Sequence, residues 1–236
     1  MAPRYHYPHL PDTGRVELGE DLTHHLLRVM RLQQGDEVLL FDGRGHQARA
    51  RITQTDARTV HVDILERSST AAQPVRIVEI AVSPPRSNRW SWLLEKVAEL
   101  GVATLRPVLC SRTPASARRE KNRLRQERIL SAATAQSGAV LVPTLYAPVS
   151  LADFVEQSQQ FTGQRFVADG DGATASARSA EPCLVLVGPE GGLTDQELAM
   201  VEAAGFAKLR LGPTTLRVET AALVAATLLL HAADQA

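Results

Sequence analysis

Apolar and polar positions follow two different rhythms along this chain, with a change near residue 70. Before it, residues 37–41 (Glu-Val-Leu-Leu-Phe) form a short apolar run that enters Asp42-Gly43-Arg44-Gly45, a turn signal of the Asp-Gly type. Residues 46–53 and 59–65 then alternate polar and apolar positions, as half-buried strands do. Upstream, residues 21–30 predict a short helix with Leu22, Leu26, Leu27 and Met30 on one face. A small antiparallel barrel with one helix is the natural reading of residues 1–70, and residues 68–74 read as a linker.

From residue 75 onward short apolar runs alternate with helix-length segments. Strands are predicted over residues 75–82, 103–109, 165–168, 183–187 and 208–211. Helices are predicted over 87–100, 118–134, 150–157, 195–204 and 219–233. Trp92, Leu93, Val97 and Leu100 are expected on the inner side of the first of these, which Gly101 closes. Thr194 is placed as an N-cap, with Glu197 completing a capping box. Such alternation implies a mostly parallel sheet covered on both faces, the α/β class, over residues 75–236.

Two loops in the last third carry the candidate chemistry. Gly188-Pro189-Glu190-Gly191-Gly192 follows the strand that includes Leu186, and Leu211-Gly212-Pro213 leads through Leu216, Arg217 and Glu219 into the last helix. Glycines allow close backbone approach and proline stiffens the turn, so each loop presents amides and carbonyls to a polar ligand at a strand's carboxyl end. Neither loop matches the three-glycine dinucleotide pattern or the phosphate loop ending in Lys-Ser or Lys-Thr. Arg217 and Glu219 by themselves read as a surface salt bridge near a helix N-terminus, where Glu219 also suits the macrodipole.

Composition narrows the field. The ordinary apolar fraction of 44% predicts a folded chain, and no apolar stretch reaches the length of a membrane span, so a cytoplasmic protein is expected. Cys110 and Cys183 make neither a disulfide framework nor a metal set, which fits a reducing compartment, and both read as small buried residues. The net charge of zero hides a segregation: residues 84–128 hold eleven Arg or Lys against four Asp or Glu, while residues 129–236 hold five against eleven. This bias fits a polyanion-binding surface or a solvated arginine-rich helix face.

Taken together, Gly188-Pro189-Glu190-Gly191-Gly192, Leu211-Gly212, Leu216-Arg217 and Glu219-Thr220-Ala221 resemble the signature of the RsmE family. These are small-subunit ribosomal RNA (uracil-N3) methyltransferases of the SPOUT superfamily. Arg89, Trp92 and the run from Glu95 to Val102 resemble the family's helix that ends in a Glu-Leu-Gly-Val block. His24-His25, Val29, Arg31, Gly35-Asp36 and the run from Phe41 to Gly45 resemble its N-terminal PUA-like barrel. The chain departs from the family at Ala135 and Ala139, where Glu and Arg are usual, at Gln126 for tryptophan, at Arg86 for lysine, and at Asp169-Gly170-Asp171-Gly172.

The resemblance implies a PUA-like RNA-binding barrel over residues 1–70 and a SPOUT α/β domain with a trefoil knot over residues 75–236. It implies methyl transfer from S-adenosylmethionine to N3 of one uridine in 16S ribosomal RNA, within the 30S subunit, by a homodimer. Leu186, Gly188, Pro189, Gly191, Gly192, Leu211, Gly212 and Leu216 are then the expected cofactor contacts. Arg217 is expected to stabilise the uracil anion, with Glu219 or Glu190 ordering the site or accepting the proton. Arg4, Arg28, Arg31, Arg86, Arg89 and Arg112 are candidate RNA contacts, and no metal is expected. The alternatives are a ribose 2′-O-methyltransferase, whose motifs place an asparagine-arginine pair early in the domain, and a non-enzymatic RNA-binding protein, which would not depend on Arg217.

Overall fold

The run Cys183–Val187 is buried along its whole length because it is paired on both sides within a sheet. The computed structural model describes residues 2–56, 59–69, 76–117, 122–174 and 181–231. The chain divides into two compact units, one built from Met1–Gln73 and Thr134–Val142, the other from Pro74–Ala133 and Pro143–Ala236. Most of the expected linker at 68–74, the start of the basic helix at 118 and the end of the last helix at 233 lie outside the described residues.

In the first unit the strands are β1 (Arg4–His6), β2 (Gly14–Leu18), β3 (Glu37–Phe41), β4 (His46–Thr55) and β5 (Val60–Ser69), in the order β1-β3-β4-β5-β2. Three pairings are antiparallel, as the alternation predicts, but β1 lies parallel to β3. A parallel neighbour needs a crossover, which the helical segment between β2 and β3 supplies. Three residues with a single buried side chain, Tyr5, carry too little periodicity to announce β1. Leu18, Val38, Leu40, Ala50, Val60 and Val62 fill the core under that sheet.

The expected helix at 21–30 is instead a short α1 (Glu20–His24) that continues as a π-helical turn, His25–Val29. The wider turn closes with Met30 N–H donating to the His25 carbonyl at 3.0 Å. One extra residue per turn rotates the next side chains off the buried stripe. Leu26 is therefore fully buried, while Met30 is 44% exposed rather than packed beside it. Arg31, next in line, is the one non-glycine residue with positive φ among the described residues.

The second unit contains β6 (Val78–Val82), α2 (Ser87–Leu100), β7 (Thr104–Leu109), α3 (Arg123–Ser137), β8 (Thr144–Leu145) and β9 (Val149–Ser150). It continues with α4 (Leu151–Ser158), β10 (Gln164–Thr174), β11 (Cys183–Val187), α5 (Asp195–Ala203), β12 (Ala207–Arg210) and α6 (Val218–His231). Among the described residues the sheet runs β12-β10-β11-β6-β7-β8, with β9 also on β7, and each pairing is parallel. Leu184 and Leu186 of β11 pack with Phe154, Val201 and Phe206 of the α4–α5 side. Strand alternation sends Cys183, Val185 and Val187 to the opposite face, where α6 packs against β6 and β11. Burial pushes the Cys183 thiol up to about 11, so it is an inert core residue.

Two details differ from the pattern read along the chain. Trp92 is 43% exposed, and Trp90 is buried in its place, donating Nε1–H to Gln126 Oε1 at 2.7 Å. Trp90 stands three, four and seven residues before Leu93, Leu94 and Val97, so it belongs to their stripe, whereas Trp92 does not. Strand β10 also runs on through Asp169-Gly170-Asp171-Gly172, with a register break against β12 between Ala168 and Ala173. A Cβ on Gly172 would lie 2.7 Å from the Leu209 nitrogen, so only glycine lets the two backbones pass there. Arg76, fully buried, ties the unit together through the Glu181 carbonyl (2.6 Å), Gln164 Oε1 (2.7 Å) and the Leu229 carbonyl in the last turn of α6 (3.2 Å).

Candidate active site

The carboxyl ends of β11 and β12, with the middle of β10 between them, open into one cavity of about 470 Å³. Its walls come from Ala168, Asp169 and Gly170 of β10, from Val187 to Glu190 with Gly192 and Leu193 after β11, and from Arg210 to Leu216 after β12. Leu198, Val218 and Ala221 complete it. Of the expected cofactor contacts, Gly188, Pro189, Gly192, Leu211, Gly212 and Leu216 line this cavity. Leu186 does not: its side chain is fully buried in the sheet core two residues before Gly188. Gly191 does not either, because its carbonyl turns to Arg112, which donates Nη1–H at 2.7 Å. The contributions of Leu198 and Ala221 come from helices that have other reasons to be apolar, so no local signal marked them.

Two side chains outside the loops brace the first one. Arg112, expected to meet RNA, caps the Gly191 carbonyl and reaches Leu193 O at 3.4 Å. Glu197 closes the capping box anticipated with Thr194, accepting from its amide at 2.9 Å, and also accepts from the Ser111 amide at 2.7 Å. Burial alone would raise the Glu197 carboxyl, but these amide hydrogen bonds outweigh it and hold the group below its ordinary value. A depressed carboxyl stabilises the fold above its ordinary pKa, and that contribution fades as pH falls through the lowered value. Glu197→Ala is expected to cost about 2 kcal/mol at pH 7. The gap to the wild type, followed by thermal denaturation, narrows steadily below about pH 4.5.

A second cavity of about 440 Å³ adjoins the first and is lined by Arg86, Arg89, Glu190, Thr215, Leu216 and Arg217. Glu190, Thr215 and Leu216 belong to both walls. Arg89, also expected to meet RNA, pairs with two carboxylates: its Nη1 lies 2.9 Å from Glu190 Oε1 and its Nε 3.5 Å from Glu219 Oε1. Glu219 is buried at the start of α6 and lines neither cavity. Arg217 is exposed, and Arg86 is exposed at the N-cap of α2. Among the described residues no group of three metal-ligating side chains comes together.

The remaining arginines divide. Arg28 and Arg31 are exposed beside the π-helical turn. Arg4 is not a free cation: it donates to the Ala139 carbonyl at 2.9 Å and lies 5.7 Å from the Phe41 ring centre. Much of the basic segment is likewise committed, with Lys96 on Glu95 and Glu99, Arg106 on Glu79, and Arg123 on Glu127. Surface pairs of this kind blunt the polyanion field that a residue count implies.

Known proteins share this architecture. A family model described as an RNA methyltransferase domain matches residues 71–230, and one described as an RNA methyltransferase PUA domain matches residues 18–65. The ribosomal RNA small subunit methyltransferase E of Mycobacterium bovis is 30% identical over 237 residues, covering 95% of this chain and 90% of the relative. Its Bacillus subtilis counterpart is 26% identical, covering 88% and 86%. The crystal structure of the Neisseria gonorrhoeae enzyme of that name, bound to S-adenosyl methionine, superposes with a TM-score of 0.86 at 28% identity over 96% of each chain. A Legionella pneumophila methyltransferase in complex with the same cofactor gives 0.86 at 26% identity over 99% and 98%. The mixed α/β fold, with its PUA and methyltransferase domains, and these relatives place the chain in the ribosomal RNA small subunit methyltransferase E family.

Proposed function

We propose that this chain transfers a methyl group from S-adenosylmethionine to N3 of a uridine in small-subunit ribosomal RNA. One observation carries the reading: a cavity walled by two glycine loops at strand ends and by β10 between them shares Glu190, Thr215 and Leu216 with a second, arginine-lined cavity. Donor and acceptor sites that share a wall bring two reactants together, which converts a bimolecular step into an effectively unimolecular one. The first cavity fits the cofactor. Leu193, Leu198, Leu211 and Leu216 supply apolar surface, and the loop backbones supply polar groups. A Cβ on Gly212 would meet no atom within 4 Å, so the space beside it is open. When bound there, the cofactor supplies an electrophilic methyl group.

The residues around the second cavity do the rest. N3 of uracil lies on the Watson–Crick edge, so the base must be unpaired or flipped out to reach them. N3 becomes nucleophilic only as its proton leaves, and the charge then spreads to the flanking carbonyl oxygens. The Arg217 guanidinium can meet that charge with several N–H donors. Glu190 supplies a carboxylate at the boundary between the cavities. Of the arginines expected to meet RNA, Arg28, Arg31 and Arg86 are exposed and serve as phosphate contacts, which makes RNA binding weaken with salt.

The same reading takes residues 1–70 as a closed PUA-like barrel and residues 75–236 as a SPOUT domain with a trefoil knot. It takes the chain to act as a cytoplasmic homodimer on RNA within the 30S subunit. Mass mapping of small-subunit RNA methylated in vitro tests the chemistry: N3-methyluridine at one position is expected. A methyl on a ribose 2′-oxygen would overturn the choice of atom, and absence of S-adenosylmethionine binding by calorimetry would favour a non-catalytic RNA-binding protein.

A further inference from the structure

We infer that Arg89 is a positioning residue of this site: anchored from behind by the buried Glu219 carboxylate, it holds Glu190 at the boundary of the two cavities, so that Glu190 is the carboxylate presented to the base. The inference rests on the function proposed above. It divides the roles of the two carboxylates and reassigns an arginine that sequence alone would place on RNA.

The geometry is specific. Arg86 and Arg89 stand three residues apart at the start of α2 and both line the second cavity. Arg89 binds Glu190 through Nη1 at 2.9 Å and Glu219 through Nε at 3.5 Å, using different N–H groups of one rigid fork. The Glu219 side chain is 9% exposed, and its Oε2 is buried without a hydrogen-bond partner among the described residues. Among the described residues Arg89 is the one cation within ion-pair distance of it. Glu219 also sits in the first turn of α6, where the helix dipole favours a negative charge.

Glu219 therefore has a partner but no access, since it lines neither cavity. Glu190 has both: 39% of its side chain is exposed, and it lines both cavities. The charges also argue against a phosphate contact. One guanidinium between two carboxylates has its charge already matched, so an incoming phosphate would meet the exposed Arg86 and Arg217 rather than Arg89. The other charged groups facing this cluster are Arg86 and Arg217 on the cavity wall.

The test is a cycle of Arg89→Gln, Glu219→Gln and the double variant. It reads kcat and KM separately, together with the salt dependence of affinity for a small-subunit RNA fragment. A positioning role predicts a kcat about a hundredfold lower for Arg89→Gln, with KM for RNA within about threefold. Glu219→Gln costs little more once Arg89 is gone, and the slope of log affinity against log salt is unchanged. A slope reduced by about one phosphate's share, with kcat at saturating RNA unaltered, would overturn the inference, as would additive losses in the cycle. Should Arg89→Gln alone fail to fold around a bare Glu219, the double variant removes both charges and is read in its place. A wild type that transfers no methyl group defeats the function proposed above, while the salt slope still decides whether Arg89 contacts RNA.

Discussion

Arg217→Ala loses methyl transfer by about a hundred- to a thousandfold in a single-turnover assay, while binding S-adenosylmethionine with an affinity close to that of the wild type. The size reflects the role assigned to the side chain. Negative charge develops on the uracil carbonyl oxygens as N3 gives up its proton, and a preorganised cation there acts on the transition state more than on the bound base. The separation of effects reflects position. Arg217 lines the second cavity, whereas the first is lined by its neighbours Leu216 and Val218. Arg217 is exposed, so its removal leaves no cavity in a core, and the melting temperature should not move. Full activity in the variant would sink the assignment.

Gly212→Val produces the opposite split. Gly212 lines the first cavity, and a Cβ built there would touch nothing within 4 Å. The first atom of the added side chain meets no protein, so the fold is expected to stay about as stable as before. It takes up room that the cofactor would use, at an overpacking cost of about 2 kcal/mol, or roughly thirtyfold in the dissociation constant measured by calorimetry. Gly188 provides the contrast. A Cβ there would lie 3.2 Å from Leu193 Cγ, so Gly188→Ala presses on the loop itself and should lower thermal stability along with affinity. Wild-type affinity in Gly212→Val would exclude this cavity as the cofactor site.

Much of the secondary structure in the second unit was legible because β6, β7 and β11 are short apolar runs and α2 and α5 carry their own punctuation, whereas β8 and β9, two residues each, carry no such signal. Residues 183–187 and 87–100 fall on the strand and helix observed, Gly101 closes α2 with φ of 80°, and Thr194 and Glu197 form the expected capping box. These features are written in neighbouring residues, where sequence spacing equals spatial spacing. The π-helical turn, the parallel β1 and the extension of β10 were not legible for the converse reason. Each depends on a partner far along the chain, or on a hydrogen-bond ring one residue wider than the helical period assumes.

The site divides along the same line. The residues by themselves determined that two glycine loops come after two strands and that Arg217 and Glu219 lie beside the second. Only the tertiary structure decided what those residues face. Strand order put β10 between β11 and β12, so the ends of two strands and the middle of a third share one cavity. Packing sent Leu186 into the core and turned Gly191 toward Arg112. It also brought Arg89 across 101 residues of chain to Glu190. A charged side chain's role is set by the nearest opposite charge in space, and the distance between loops is fixed by the sheet rather than by the sequence between them.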